Sequence, residues 1–598
     1  MNRVKAAAVI AALADAACGQ PGAETMVDKR LYDSPFGDNV LLFDPGMDMA
    51  AIQTTLDALS KQQEKDEFSK NRYALLFKPG EYDLNVTVDY YMHAAGLGQV
   101  PSDVTINGAV QSISSSFNKR VTIMFWRAAE NILVNPVNAA RPVYWAVSQA
   151  AAFRRMHIRG DLQFDLGSWG SGGFLANSIV DGQAGLTTGQ QWFTRNSEVG
   201  HWRGGIWNRT FVGTVGTPDE NWPETPNTVI DRTPVVRDKP FLVIDESGNF
   251  SVFVPALERS SKGVTWKEGN EAGKHIPIDD FHIAIAGEDT AASINAALDA
   301  GKHLLLTPGI YTLDASIRVT RPDTVVLGIG LATLKPATGQ PAFETADVSG
   351  VVVAGLMVDA GLENSPVLIR IGDPGSDQDH SANPTSLHDI FCRVGGAISG
   401  KADVCLEINS DDVIVDHAWL WRADHGAGAK WTVNRSKHGL IVNGDDVTIY
   451  GLFNEHFQEY QTVWNGERGR VYFYQSEIPY DPPSQEEWMN GDTKGFASYK
   501  VADDVQSHQA YGLGIYSFFG VHQQRDPKAR VTSAIEAPDR EGVNITHVTT
   551  FAGRFGGIDH PINLLGEATN VEEVKFFDGL NPLSPTAALA DSKASQSE

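Results

Sequence analysis

Leu75-Leu76-Phe77-Lys78-Pro79-Gly80-Glu81-Tyr82-Asp83-Leu84 returns 229 residues later as Leu304-Leu305-Leu306-Thr307-Pro308-Gly309-Ile310-Tyr311-Thr312-Leu313. Each copy reads as an apolar strand, a Pro-Gly turn and an alternating strand. A Gly-x-Gly turn follows each, Gly96-Leu97-Gly98 and Gly328-Ile329-Gly330. A helix signal precedes each: Asp48 as the cap before Ile52, Leu56 and Leu59, and Asp289 as the cap before Ile294 and Leu298. A capping helix followed by a Pro-Gly-x-Tyr strand starts a β-solenoid, so two copies predict two β-helices in tandem, an all-β fold with short capping helices.

Working outward, the second half repeats a turn residue followed by Val-x-apolar: Gly350-Val351-Val352-Val353, Asp412-Val413-Ile414-Val415, Asp446-Val447-Thr448-Ile449, Gly542-Val543-Asn544-Ile545 and Asn570-Val571-Glu572-Glu573-Val574. Inward β-branched residues on stacked coils make a continuous core. The chain divides into a leader (1–26), an N-terminal β-helix (27–256), a charged, weakly periodic linker (257–285), a C-terminal β-helix (286–580) and a disordered Ala/Ser/Pro-rich tail (581–598). Arg3 and Lys5 before the apolar Ala6–Leu13 run read as an export signal, so the protein is expected to be secreted, extracellular or periplasmic. Lipid anchoring at Cys18 is the lesser alternative, because Asp15 sits where a lipoprotein signal wants Leu. Nothing later approaches a membrane span of about 20 apolar residues.

The 598 residues carry a formal charge of −26. That excludes nucleic acid and disfavours anionic membranes and polyanionic polymers, while a neutral glucan is indifferent to it. Three cysteines are too few for a disulfide scaffold, and Cys392 and Cys405 are read as buried free thiols that lie close on adjacent coils. No spacing among the sixteen histidines forms a metal site, and no cofactor motif is present.

The chemistry concentrates between Tyr450 and Pro483, YGLFNEHFQEYQTVWNGERGRVYFYQSEIPYDPP. Glu455 and Glu477 lie 22 residues apart, about one solenoid coil. Like charges on neighbouring strands, roughly 4.8 Å apart, raise one another's pKa and leave one carboxyl protonated at neutral pH. Aromatic residues crowd the same segment and suit the C–H faces of sugar rings.

This segment, with Trp421-Arg422-Ala423-Asp424-His425-Gly426, resembles glycoside hydrolase family 55, β-1,3-glucanases built from two right-handed, pectate-lyase-like β-helices packed side by side. The resemblance runs over about Phe43 to Phe577. It implies that Glu477 is the general acid and that Glu455 positions or activates the attacking water. Gln149 in Ala146-Val147-Ser148-Gln149 and Ser171 in Trp169-Gly170-Ser171-Gly172-Gly173 would complete the water network. Trp421, Asp424, Tyr480 and Trp169 would contact substrate. It further implies exo attack on laminarin-like glucan with release of glucose, by a monomer with no cofactor. Direct stacking of the two glutamates favours the short gap of a retaining enzyme, whereas the family inverts; inversion is the expectation taken.

Three rivals stand beside this reading: a β-helix glycosidase for another linkage, a polysaccharide lyase, and a non-catalytic carbohydrate-binding surface protein. The pairs Asp411-Asp412 and Asp445-Asp446 suggest polygalacturonase-type chemistry, but they recur in one Asn-x-Asp-Asp-Val frame, as structural Asx turns do.

Overall fold

A computed structural model describes residues 32, 34–113, 121–138, 141–187, 189–205, 207–269, 271–519, 528–553 and 555–583. The expected leader and all but residues 581–583 of the expected tail lie outside the described residues. The chain forms the two parallel β-helices that the Pro-Gly repeat predicts. The first carries a nine-stranded parallel sheet running in chain order from Val40–Phe43 to Asn227–Ile230. The second carries a thirteen-stranded sheet, from Phe281–Ala284 to Glu573–Leu580, and an opposing nine-stranded sheet from Ile317–Val319 to Gly557–Ile562. Among the described residues no helix is long and apolar enough to cross a membrane.

The two starts are built alike. Helix α1 (Met49–Gln63) is capped by Asp48, which accepts from the Ala50 N–H at 3.0 Å. Helix α2 (Ala291–Asp299) differs from the reading: its cap is Thr290, in a reciprocal pair with Ser293, while Asp289 accepts from the Ile285 N–H and the Ser293 hydroxyl. The repeated tyrosine has one job in both copies. Tyr82 donates to the carbonyls of Phe43 (3.1 Å) and Lys78 (2.8 Å), and Tyr311 to those of Ala284 (2.7 Å) and Thr307 (2.9 Å). Each hydroxyl adds a bond to a carbonyl that already accepts a backbone N–H, Phe43 or Ala284, and reaches a second one in the turn, tying the first two coils together.

Residues 257–285, read above as a linker, carry regular structure. Leu257–Ser261 pairs antiparallel with Thr233–Arg237, and Gly273–Pro277 adds to a three-stranded antiparallel sheet with Phe241–Ile244 and Phe250–Pro255. Their charged composition reflects strands with one face in water, which is why no apolar run marks them. Cys392 and Cys405 also depart from expectation. They are disulfide-bonded, with Cα atoms 6.2 Å apart, each pointing inward from one of two consecutive strands of the same coil.

The second helix has a ruler. Gly355, Asp389, His417, Gly451, Phe473, Gly512 and His547 occupy one corner on seven successive coils, all with φ between +51° and +75°. The turn throws the following residues onto alternating faces. The first and third after the corner, such as Leu452 and Tyr474, fill the helix interior. The second and fourth face the other β-helix. The fourth residues form one in-register column: Asp359, Arg393, Trp421, Glu455, Glu477, Tyr516 and Phe551. At Gly451 a Cβ would lie 3.0 Å from the Phe174 ring of the first helix, so both φ and space require glycine.

The helices join along this face. Tyr90, Phe125, Trp126, Phe174 and Phe193 interleave with Phe391, Trp419, Trp421, Phe453 and Tyr472 in a buried apolar layer. Within it Arg154 donates to Asp389 (2.8 Å) and Asp416 (2.7 Å), and Arg195 to Asp416 (2.9 Å) and Asp238 (2.6 Å), all buried. Burial alone would raise the Asp416 carboxyl; Arg195 and Arg154 outweigh it and hold the group well below the usual carboxylate range. Its contribution to stability is therefore present above the unfolded carboxylate pKa of about 3.9 and is lost only as pH falls through the depressed value. Replacing Asp416 with Asn leaves two buried guanidinium groups short of charge. The expected cost is about 3–5 kcal/mol, read as a lowered denaturant midpoint with an unchanged secondary-structure spectrum. A midpoint equal to that of the parent would show that the junction does not depend on this carboxylate.

Candidate active site

Glu455 and Glu477 end the strands Thr448–Glu455 and Gly469–Glu477 and are directly paired across the parallel ladder. Both stand four residues beyond the corner, so both leave the solenoid on the face toward the first helix. After Glu455 the chain breaks away at His456, which takes the left-handed region at a φ of 68°.

Glu455 is 2% exposed and held from two sides. Its Oε1 accepts from Gln149 Nε2 at 2.7 Å, a bond that spans the junction, and its Oε2 accepts from Trp419 Nε1 at 2.8 Å. Gln149 is fixed in turn: its Oε1 accepts from Ser171 Oγ at 3.1 Å, and Ser171 Oγ lies 2.8 Å from Ser148 Oγ. The glycines around Ser171 permit this approach, since a Cβ on Gly172 would sit 2.8 Å from the Phe453 ring. The three side chains expected to form the water network, Ser171, Gln149 and Glu455, are thus linked in one chain of hydrogen bonds that draws on both helices.

Glu477 has different partners. Its side chain is 16% exposed, accepts from the Tyr480 hydroxyl and lies 3.7 Å from His456 Nε2. Burial pushes the Glu477 carboxyl up to about 7, against the Tyr480 hydrogen bond and with the help of Asp424's charge. Burial and then Glu477 also raise Glu455 well above its ordinary value. The pair therefore retains a proton at neutral pH. The Gln475 and Trp419 N–H donors oppose the rise at Glu455, as the Tyr480 hydroxyl opposes it at Glu477.

Asp424 joins the centre, with Oδ1 4.0 Å from His456 Nε2 and 2.8 Å from His425 Nδ1. Trp421 does not present a sugar platform. It is 1% exposed, packed 5.0 Å from Trp419 and 6.0 Å from Phe125. Its place in the column puts it against the first helix, in the apolar layer between the two, and not in the substrate contact that the resemblance implies. Trp169 is half-buried and tilts toward Trp207 at 6.1 Å, which stacks at 4.4 Å on Phe551, the last residue of the column. Trp169 thus lies in an aromatic wall beyond Glu477 and Tyr516.

Two residues escaped the reading. Gln475, second after its corner, is fully buried, reaches Glu477 Oε1 at 3.4 Å and also bonds Glu455, so its amide spans the pair. Its signal was present: it stands two residues before Glu477 on a strand, hence on the same face. Arg422 grips Asp481 with two bonds of 2.9 and 3.0 Å and also donates to the His456 carbonyl, which anchors the loop bearing Tyr480. The aspartate pairs behave as turn residues: Asp411 accepts from the Asp445 N–H and Asp445 from the Glu467 N–H, coil upon coil. Among the described residues no group of three or more His, Cys, Asp or Glu could hold a metal ion.

Residues 281–477 match the model of the LAM55 pectate lyase-like domain. Over 538 residues, 89% of this chain and 87% of the relative, the sequence is 46% identical to an exo-beta-1,3-glucanase of Streptomyces sp. (strain SirexAA-E / ActE). The solved structure of sacteLam55A from Streptomyces sp. SirexAA-E superposes with a TM-score of 0.89 at 44% identity, covering 92% of this chain and 99% of that one. The same figures hold for a variant of that protein in complex with glucose.

Arg422 offers a test independent of turnover. Lysine cannot reproduce the forked contact with Asp481, so Arg422→Lys is expected to speed amide exchange in residues 478–484 by about tenfold, with the rest of the second helix unchanged. Equal protection of that loop in both proteins would remove Arg422 from its support.

Proposed function

This chain belongs to glycoside hydrolase family 55, and on that premise we propose that it is an exo-acting, inverting β-1,3-glucan hydrolase that releases glucose. The observation that carries the proposal is the Gln149–Glu455 bond across the junction, with Glu477 paired to Glu455 one coil away. Glu477 gives its proton to the glycosidic oxygen as the C1–O bond breaks. Water held by Glu455 and oriented with Gln149 attacks C1 from the opposite face, and its proton passes to Glu455. Ser171 acts on Gln149 rather than on the water. Inversion is taken from the family, and the separate partners of the two carboxylates, Gln149 and Trp419 for Glu455 and Tyr480 for Glu477, suit separate roles for them.

The substrate and the exo mode come from the relative's name and from the glucose complex of its structural counterpart. The half-buried Tyr480 beside the acid and the half-buried Trp169, backed by the buried Trp207, supply faces for sugar rings. Export by residues 1–26 is part of the proposal; N-terminal sequencing of protein recovered from culture medium tests it.

Three outcomes are expected. Glu477→Gln keeps glucan binding while kcat falls by about 10²–10⁴, and a parent without turnover on any glucan would favour the binding-protein rival. NMR of laminarin digestion shows α-glucose first; β-glucose first would overturn inversion. The rate declines with a single ionisation near pH 7 on the alkaline side, because the acid must be protonated and its carboxyl is raised to about 7.

A further inference from the structure

His425 lies outside the water network and outside the substrate contacts read from the sequence, yet it has the most constrained histidine contacts in the centre. Its Nδ1 is 2.8 Å from Asp424 Oδ1 and its Nε2 is 2.8 Å from Glu67 Oε1. Glu67 belongs to the first β-helix, in the loop after α1; Asp424 belongs to the second. A neutral imidazole has one N–H, so one of these contacts would set a lone pair against a carboxylate oxygen. Only the cation donates to both.

We infer that His425 is a positioning residue: as an imidazolium clamped between Glu67 and Asp424, it fixes the Asp424 carboxylate beside the acid Glu477 and sets the electrostatic field in which that acid ionises. The inference rests on the hydrolase reading. The groups around His425 are few. Glu67 faces it from the first helix with the Phe68 ring, 6.0 Å away; the Trp421 ring lies at 5.2 Å; and Arg393 sits over Phe68 at 5.4 Å. Beyond Asp424 stand His456 and Glu477. Burial pushes His456 down to about 4, so it is neutral at pH 7 and does not share the role. Burial also opposes the charge on His425, but Glu67 and Asp424 outweigh it and hold the group well above the usual histidine range.

Charge at this position is felt by Glu477 through Asp424, which already raises its pKa. Removing the cation makes the surroundings more negative and holds the proton more tightly; removing Glu67 does the reverse. His425→Gln is therefore expected to move the alkaline limb of kcat/KM upward by about half a pH unit or more, with a raised KM. Glu67→Gln is expected to move it downward. His425→Arg keeps the charge and can fork to both carboxylates, so its limb should return to within about 0.2 unit of the parent. A purely structural role would lower activity in all three without displacing the limb, and an unmoved limb in both glutamine variants overturns the inference. Should the variants fail to fold, neutron diffraction of the parent at pH 7.5 decides: deuterons on both ring nitrogens are expected, and a single deuteron overturns it. The neutron result stands whether or not the protein cleaves β-1,3-glucan, so failure of the hydrolase reading and failure of the clamp are distinguishable.

Discussion

Two arginines of one β-helix, Arg154 and Arg195, close on a single carboxylate of the other, Asp416. The catalytic centre depends on this meeting because neither helix contains it alone. Gln149 and Ser171 come from the first, Glu455 and Glu477 from the second. The aromatic layer between the helices supplies attraction but little registry, since apolar contact is non-directional. Buried charge–charge hydrogen bonds accept only narrow geometry, and an offset of one coil would strand both guanidinium groups. The 2.7 Å contact between Gln149 and Glu455 is then available to chemistry because the arginines have already set the helices side by side.

In the proposed reaction, the same junction accounts for the division of labour between two acids of one chemical type. Glu455 sits deeper and is met by an amide and an indole N–H; Glu477 stands nearer water and meets a phenol. Donors that stabilise a carboxylate are concentrated on one member, and burial acts on both. Environment, not identity, separates base from acid.

Much of this was legible in the sequence because it repeats or alternates. The Pro-Gly-x-Tyr copies announce two solenoids, and in each the tyrosine hydroxyl ties the strand to two carbonyls. The 22-residue interval between Glu455 and Glu477 is a one-coil stack in the structure. What stayed hidden depends on the partner helix or on one coil's interior. Trp421 is apolar and strand-terminal whether it faces sugar or protein, and only the docked first helix decides. The antiparallel strands within residues 257–285 keep one face in water and so lack an apolar signature. Cys392 and Cys405 are 13 residues apart in sequence, and their union follows from the width of the solenoid, which no spacing rule conveys. Gln475 shares a face with Glu477 by strand alternation, but an amide two residues from a carboxylate is common on any strand and marks no site by itself.

The seven left-handed corners carry a further meaning. Because the fourth residue after each corner always leaves the solenoid toward the first helix, that face is written as a string of seven letters, D-R-W-E-E-Y-F, one per coil. A substitution at Asp359, Arg393, Trp421 or Tyr516 edits the buried junction, and one at Glu455 or Glu477 the proposed site, while the interior, set by the odd positions, is untouched. An insertion between corner and letter instead turns that side chain inward and erases it. Such an architecture tolerates changes of spelling more readily than shifts of frame, so diversification of the site is expected to proceed through point replacement around Glu455 and Glu477 and through lengthening of the loops that follow the column.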